Sequence, residues 1–379
     1  MRALFYHPSA EWNGRARVFL AAARGLAAQG WNVTFATAPE GEPRRRVLAA
    51  GLPAVGVDPD AGMVSRSGEL AAALRDHFVE VVFVHGERDQ LAASTAVWRA
   101  SRGAVVRRVG AGDALALGRS VRLAMGRVAT GFLFSSPEQV RDAGALADAA
   151  AGNGAGNGAG SALGTALGSV VADLGIAPGA PAGALPDMLD GEPPAAHSIV
   201  CVHEPGAHRA TQTVLRATAL LAPRHPGLRV HLVGPGAADE GLRLHAAALG
   251  VTRAVIAGGP EVDAAPLLAD ADLAWVVAGG DDGALGALDA MAARVPVLVP
   301  RGGTAARYVP DGITGVHLEP DDVPGTAAVI ARLLAAHEAR ATMGAAGQAR
   351  VVRDHGEAAM LDGFSRAASG ARDRTRWRA

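Results

Sequence analysis

The chain has no lysine; all 36 of its basic residues are arginine, which excludes Schiff-base chemistry on a lysine amine. Its one cysteine, Cys201, rules out an intrachain disulfide and any zinc cluster of several thiolates, and fits a reducing cytoplasm. Neither charge dominates: 37 acidic residues oppose the 36 basic ones, so no broad field would hold nucleic acid, and an anionic ligand has to be gripped locally. There is no G-x-S-x-G elbow, no H-E-x-x-H, no G-K-[ST] phosphate loop and no D-x-D metal pair in a suitable strand-end context. No run reaches roughly 18 uncharged apolar residues of membrane character. The opening MRALFYHPSAEWNG lacks the long hydrophobic region of a signal peptide, and a soluble, cytoplasmic protein is expected.

At 379 residues two domains are expected. Short apolar runs alternate with longer helical patterns, first RALFY, ARVFLAAARGLAAQG and NVTFAT, then EVVFVH, DQLAASTAVWRASRG and AVVRRV. This is the βαβ rhythm of buried parallel strands. Residues 151–168, AGNGAGNGAGSALGTALG, are too poor in bulky side chains to pack and are expected to be a flexible loop. A second series of strands and helices opens at SIVCVH, and the Pro-rich segment 185–197 between the two series is the natural hinge. Two doubly wound α/β domains facing each other across a cleft follow, over 1–190 and 191–355. A C-terminal helix and basic tail over 356–379 has the length to cross back to the first domain. The tail carries four arginines in its last nine residues; solvation and peripheral contact with an anionic membrane both suit it.

The stretch GGDDGALGALDAMAARVPVLVP, residues 279–300, sets Asp281 and Asp289 eight positions apart among small apolar residues. DLAWVV before it reads as a strand and ALGALDAMAA as a helix beginning near residue 283, so Asp281 falls in a Gly-flanked loop and Asp289 two turns inside. Asp289 has Leu285, Gly286, Ala292 and Ala293 at helical spacing, none able to pair with a carboxylate; it is expected to meet solvent or a ligand. A helix start with free N–H groups suits phosphate, and a carboxylate further along can accept hydrogen bonds from sugar hydroxyls. An aspartate on a solvated helix face fits the same pattern.

This segment resembles the C-terminal motif of the family 4 (group 1) retaining glycosyltransferases of GT-B fold, E-G-F-G-x-x-x-x-E-A-M-A-x-G-x-P-V-V, with both glutamates replaced by aspartate. HPGLRVHLVGPG, LLADADLAWVV, RGGTAARYVPDGITGVHLEPDD and PDMLD resemble further family stretches in order, as do NGRARVFLAAARGLAAQGWNVTFAT and VEVVFVHG in the first half. The resemblance implies a GT-B architecture of two Rossmann-like domains and a hexosyltransferase that retains anomeric configuration. It implies no metal and no cofactor, with a UDP-, GDP- or ADP-sugar as donor and a glycan, lipid-linked or small-molecule acceptor, the donor phosphate itself helping to deprotonate that acceptor.

Carried over by position, the resemblance makes Asp289 the ribose ligand and Asp281 the contact to the transferred sugar, with Asp282 able to replace it. Gly283 and Leu285 would stand beside them at the donor, and Gly14 would permit close backbone approach. Asn13-Gly14 reads equally well as an ordinary turn. His85 matches the family's second histidine, at the sugar or acceptor, although a strand-end histidine satisfied by backbone is the plainer reading. His85 and Asp281 are thus the expected catalytic groups, and no residue is expected to hold metal. Aspartate is one methylene shorter than glutamate, so each contact needs the backbone closer by about 1 to 1.5 Å or a bridging water. Arg209 takes the place of the family's diphosphate-binding lysine. Glu204 takes the place of its arginine, the wrong sign beside a diphosphate, with His203, His208, Arg301 and Arg307 the groups that could compensate. Arg294 for the family's Gly, Val277-Ala278 for its Pro-Ser and the two shortened acids motivate a rival reading, a non-catalytic GT-B protein that binds a glycan or supports a partner transferase. A GT-B sugar-nucleotide epimerase is a third.

Overall fold

A computed structural model describes residues 1–152, 170–176, 196–258 and 264–375. The expected flexible insert at 151–168 lies outside these residues except for its first two positions, and so do the PDMLD stretch, nearly all of the hinge and the last four residues of the tail. The chain divides into one unit of Met1–Gly175 with Glu357–Ala379 and a second of Ile176–Gly356.

In the first unit seven strands form one parallel sheet in the order β3-β2-β1-β4-β5-β6-β7: β1 (Arg2–His7), β2 (Asn32–Thr37), β3 (Ala54–Gly56), β4 (Val81–Val84), β5 (Ala104–Val109), β6 (Thr130–Phe134) and β7 (Val170–Val171). The central strands are buried along nearly their whole length, β4 at every residue, because helices cover both faces of a parallel sheet. Phe5 on β1 stacks on Phe83 of β4 at 4.8 Å between ring centroids and meets Phe19 edge-on at 5.1 Å. Phe364, from the C-terminal helix Glu357–Asp373, lies 5.2 Å from Phe83 and is fully buried.

In the second unit six parallel strands run β10-β9-β8-β11-β12-β13: β8 (His197–Val202), β9 (Leu228–Val233), β10 (Val255–Ala257), β11 (Leu273–Val276), β12 (Val297–Pro300) and β13 (Gly315–Leu318). Its core is aliphatic, with Trp275 the one aromatic among Ile199, Cys201, Val214, Leu215, Leu298 and Leu333. Adjacent residues of a strand point to opposite faces. Cys201 enters the core beneath the helices His208–Leu221 and Val323–Ala335. Val202 points the other way, toward the helix Gly280–Ala292. Both sheets are doubly wound, and in each the order reverses beside the first strand, between β1 and β4 and between β8 and β11, where the carboxyl-end loops of an open α/β sheet diverge and leave a ligand crevice. No helix among the described residues is long and apolar enough to cross a membrane.

Candidate active site

At the switch point of the second sheet, β8 leads through Glu204 into the short turn Pro205–Ala207 and the helix His208–Leu221, while β11 leads through Gly279 into the helix Gly280–Ala292. That helix begins three residues before the sequence suggests. Gly280 enters it with φ of +52°, a conformation glycine adopts at no steric cost, and Asp281 and Asp282 occupy its first turn, where acidic residues complement the helix dipole. Asp281 is therefore helical rather than in the loop, and Asp289 stands roughly 13 Å along the axis from Gly280 at 1.5 Å per residue.

The small residues of the segment let this helix lie close against the sheet. A Cβ on Gly283 would come within 2.0 Å of the Ala278 carbonyl oxygen, and one on Gly286 within 3.0 Å of the Val202 side chain. Two of the site positions, Gly283 and Leu285, are accordingly buried. So are both aspartates, Asp281 at 4% exposure and Asp289 at 9%. Asp289 does not lie on a solvated face, which removes the bland reading of an exposed surface carboxylate.

The helix start is already in contact with an anion of the chain. Gly279 N–H donates to Glu204 Oε1 at 2.8 Å. Arg209, 84% exposed, donates from Nε and Nη2 to Asp321 Oδ1 and Oδ2 at 3.0 and 2.7 Å. Of the compensating groups, Arg301 is paired with Glu319 at 2.5 Å and Asp311 at 3.4 Å, and Arg307 lies 5.8 Å from the Tyr308 ring. His203 is fully buried with Nδ1 2.6 Å from Thr211 Oγ1, and burial, helped by His208, lowers its pKa to about 4. A neutral imidazole cannot neutralise a diphosphate. A pocket of about 390 Å³ opens beneath Arg209 and Asp321, floored by Trp275, Val277 and Leu318. Neither Asp281 nor Asp289 lines it, because it lies on the face covered by His208–Leu221 and the helix with the aspartates lies on the other.

In the first unit, Asn13 caps the helix Gly14–Ala28 by accepting from Ala16 N–H at 3.1 Å, so Asn13-Gly14 is a helix start rather than an ordinary turn. His85, just past β4, is buried and stacks on Phe19 with ring centroids 3.8 Å apart. Its Nε2 lies 3.1 Å from the Arg15 carbonyl oxygen, the backbone partner of the plainer reading, while its buried Nδ1 has no hydrogen-bond partner among the described residues. Burial, with Arg108, His7 and Arg15 nearby, drives the His85 pKa well below its ordinary value, and burial lowers that of His7 to about 4. Sequence reasoning missed Arg107, a buried guanidinium that donates to the His85 carbonyl at 3.1 Å, to Gln90 Oε1 at 3.2 Å and to the Ala116 carbonyl at 2.8 Å. The one available signal was the Arg-Arg pair inside the otherwise apolar strand AVVRRV.

Two doubly wound parallel sheets of this kind define the GT-B fold. The chain is similar over 98% of its length to a glycosyltransferase structure from Rickettsia africae, which it covers to 99%, with a TM-score of 0.73 and 13% identity. It is similar to Anabaena HepE in complex with UDP-glucose over 97% of its own length and 99% of that chain, with a TM-score of 0.73 and 15% identity. Sucrose-phosphate synthase from Thermosynechococcus elongatus matches over 97% and 98% of the two chains, with a TM-score of 0.65 and 16% identity. Residues 193–350 match the family described as glycosyl transferases group 1. Sequence comparison with curated proteins returned no match.

Proposed function

We propose that the chain is a glycosyltransferase that moves a hexose from a nucleotide-sugar donor to a glycan, lipid-linked or small-molecule acceptor in the cytoplasm. The observation that carries this reading is the burial of Asp281 and Asp289 on one helix at a switch point, within the segment that matches the group 1 family. The UDP-glucose held by Anabaena HepE supports a donor of that chemical class. On this reading the donor diphosphate lies at the start of Gly280–Ala292, Asp289 accepts from the ribose hydroxyls and Asp281 from the transferred sugar. Gly283 and Leu285 form the wall beside them, and Asp282 is the alternative sugar contact. Arg209 turns from Asp321 to the diphosphate; Gly14 and the neutral His85 face the sugar or acceptor. The transfer needs no metal and no protein nucleophile, and it retains anomeric configuration.

Turnover of a panel of UDP-, GDP- and ADP-sugars by the wild type and Asp289→Ala tests this. Loss of charge-assisted hydrogen bonds predicts a kcat/KM lower by about 10- to 100-fold; wild-type turnover in the variant contradicts the ribose contact. A second reading, a non-catalytic GT-B protein, is favoured by two observations: Glu204 occupies the helix start, and carboxylates already hold Arg209 and Arg301. Calorimetry with UDP, GDP and ADP separates the two, since the non-catalytic reading expects no binding of any.

A further inference from the structure

We propose that Glu204 determines specificity in the donor subsite, as a resident carboxylate that favours the sugar nucleotide over the free nucleoside diphosphate. The inference rests on the donor reading above.

Glu204 leaves β8 in extended conformation, with φ −141° and ψ 159°, and spans the switch point to accept from Gly279 N–H, the group that opens Gly280–Ala292. A Cβ on Gly279 would stand 3.0 Å from Glu204 Oε1, a separation that a small shift of the flexible carboxylate relieves. A helix start attracts anions through its unpaired N–H groups and dipole, and here the chain supplies one. Nearby the same arrangement recurs in side chains, where Asp321 takes Arg209 in the two-pronged geometry a phosphate would use. On the donor reading, Glu204 holds the backbone N–H and Asp321 the guanidinium that the two phosphates would engage.

A diphosphate entering this site meets like charge, and the repulsion grows with the charge it brings. In a sugar nucleotide the terminal phosphate is esterified. Breaking the bond to the sugar frees an oxygen, so the nucleoside diphosphate carries roughly one more negative charge near neutral pH, its terminal phosphate titrating like other phosphate monoesters near pH 6. Glu204 therefore weakens binding of the product more than that of the donor, and the site releases the nucleotide once the sugar has gone. A merely structural cap would not distinguish the two ligands, nor either of them from the bare nucleoside.

The test is calorimetry on the full chain, wild type and Glu204→Gln, with UDP, GDP and ADP, the corresponding glucose conjugates, and the three nucleosides. Glutamine keeps an oxygen for Gly279 N–H and removes the charge; Glu204→Ala carries the same expectation if the glutamine variant does not fold. The expected result is about tenfold tighter binding of the nucleoside diphosphate, a smaller gain for its glucose conjugate and no change for the nucleoside. Unchanged or weaker diphosphate binding, an equal gain for the conjugate, or a gain for the nucleoside overturns the inference and leaves the proposed transferase standing. Failure of the wild type and both variants to bind any nucleotide overturns both.

Discussion

The two units share a strand order and differ in almost everything placed on it. Counted from the first strand of each, both sheets run 3-2-1-4-5-6, with one further strand at the edge of the first. All eight phenylalanines of the chain belong to the first unit, whereas the second fills its core mainly with aliphatic side chains around Trp275, with Tyr308 buried apart from that cluster. At the switch points the contrast is one of charge. Beside β1, β4 and β5 stand His7, His85, Arg107 and Arg108, all buried. At the ends of β8 and β11 stand Glu204 and Asp281 at a helix start, with Asp289 buried further along the same helix. One backbone topology offers the same crevice twice, and the residues at the loops decide what each can hold.

If the aromatic cluster carries the first unit, removing a ring from it should cost more than an aliphatic truncation of the same depth in the second. Phe364→Ala is expected to lower stability by about 4 kcal/mol, and Leu334→Ala, also buried, by about 3 kcal/mol. Denaturant unfolding of both variants measures the difference, and equal losses would break the contrast.

A smaller effect appears with pH and is shared by both units, since burial lowers His203 of the second to about 4 as it does His7 of the first. With a folded-state pKa of about 4 against an unfolded value near 6.5, His7 binds its proton more readily in the unfolded chain. Its contribution is complete above pH 6.5 and is lost as the pH falls toward 4, by about 3 kcal/mol at most. His85, depressed for the same reason, adds to the loss. The midpoint of thermal unfolding should therefore fall with acidification across that window, and His7→Leu should flatten the slope. An unchanged slope in the variant would remove His7 from the account.

Much of the architecture was legible because period and composition carry it. RALFY, NVTFAT, EVVFVH, AVVRRV, SIVCVH, LRVHLVG and VPVLVP each contain a buried parallel strand. The strands that escaped are edges, β3 of three residues, β7 of two and β13 of four, too short to show a period. The start of Gly280–Ala292 was misplaced because Gly279-Gly280 reads as loop, while the acidic pair that follows draws the helix back toward it. Arg294 shows why a glycine belongs at that place in the motif: it closes the helix with φ of +64°, where a side chain is strained. The buried aspartates were legible as a spaced pair. The carboxylate on Gly279 and the guanidinium behind His85 were not, because each joins residues 75 or 22 positions apart, and only the fold brings them together.

The most direct test of the donor reading is a crystal structure of the full chain with whichever of UDP, GDP or ADP it binds. The account predicts phosphate oxygens within hydrogen-bond distance of the backbone N–H groups that open Gly280–Ala292, Glu204 turned away from Gly279, and the ribose hydroxyls on Asp289. A nucleotide seated in the pocket over Trp275, with Glu204 still on Gly279 and Asp289 untouched, would contradict it.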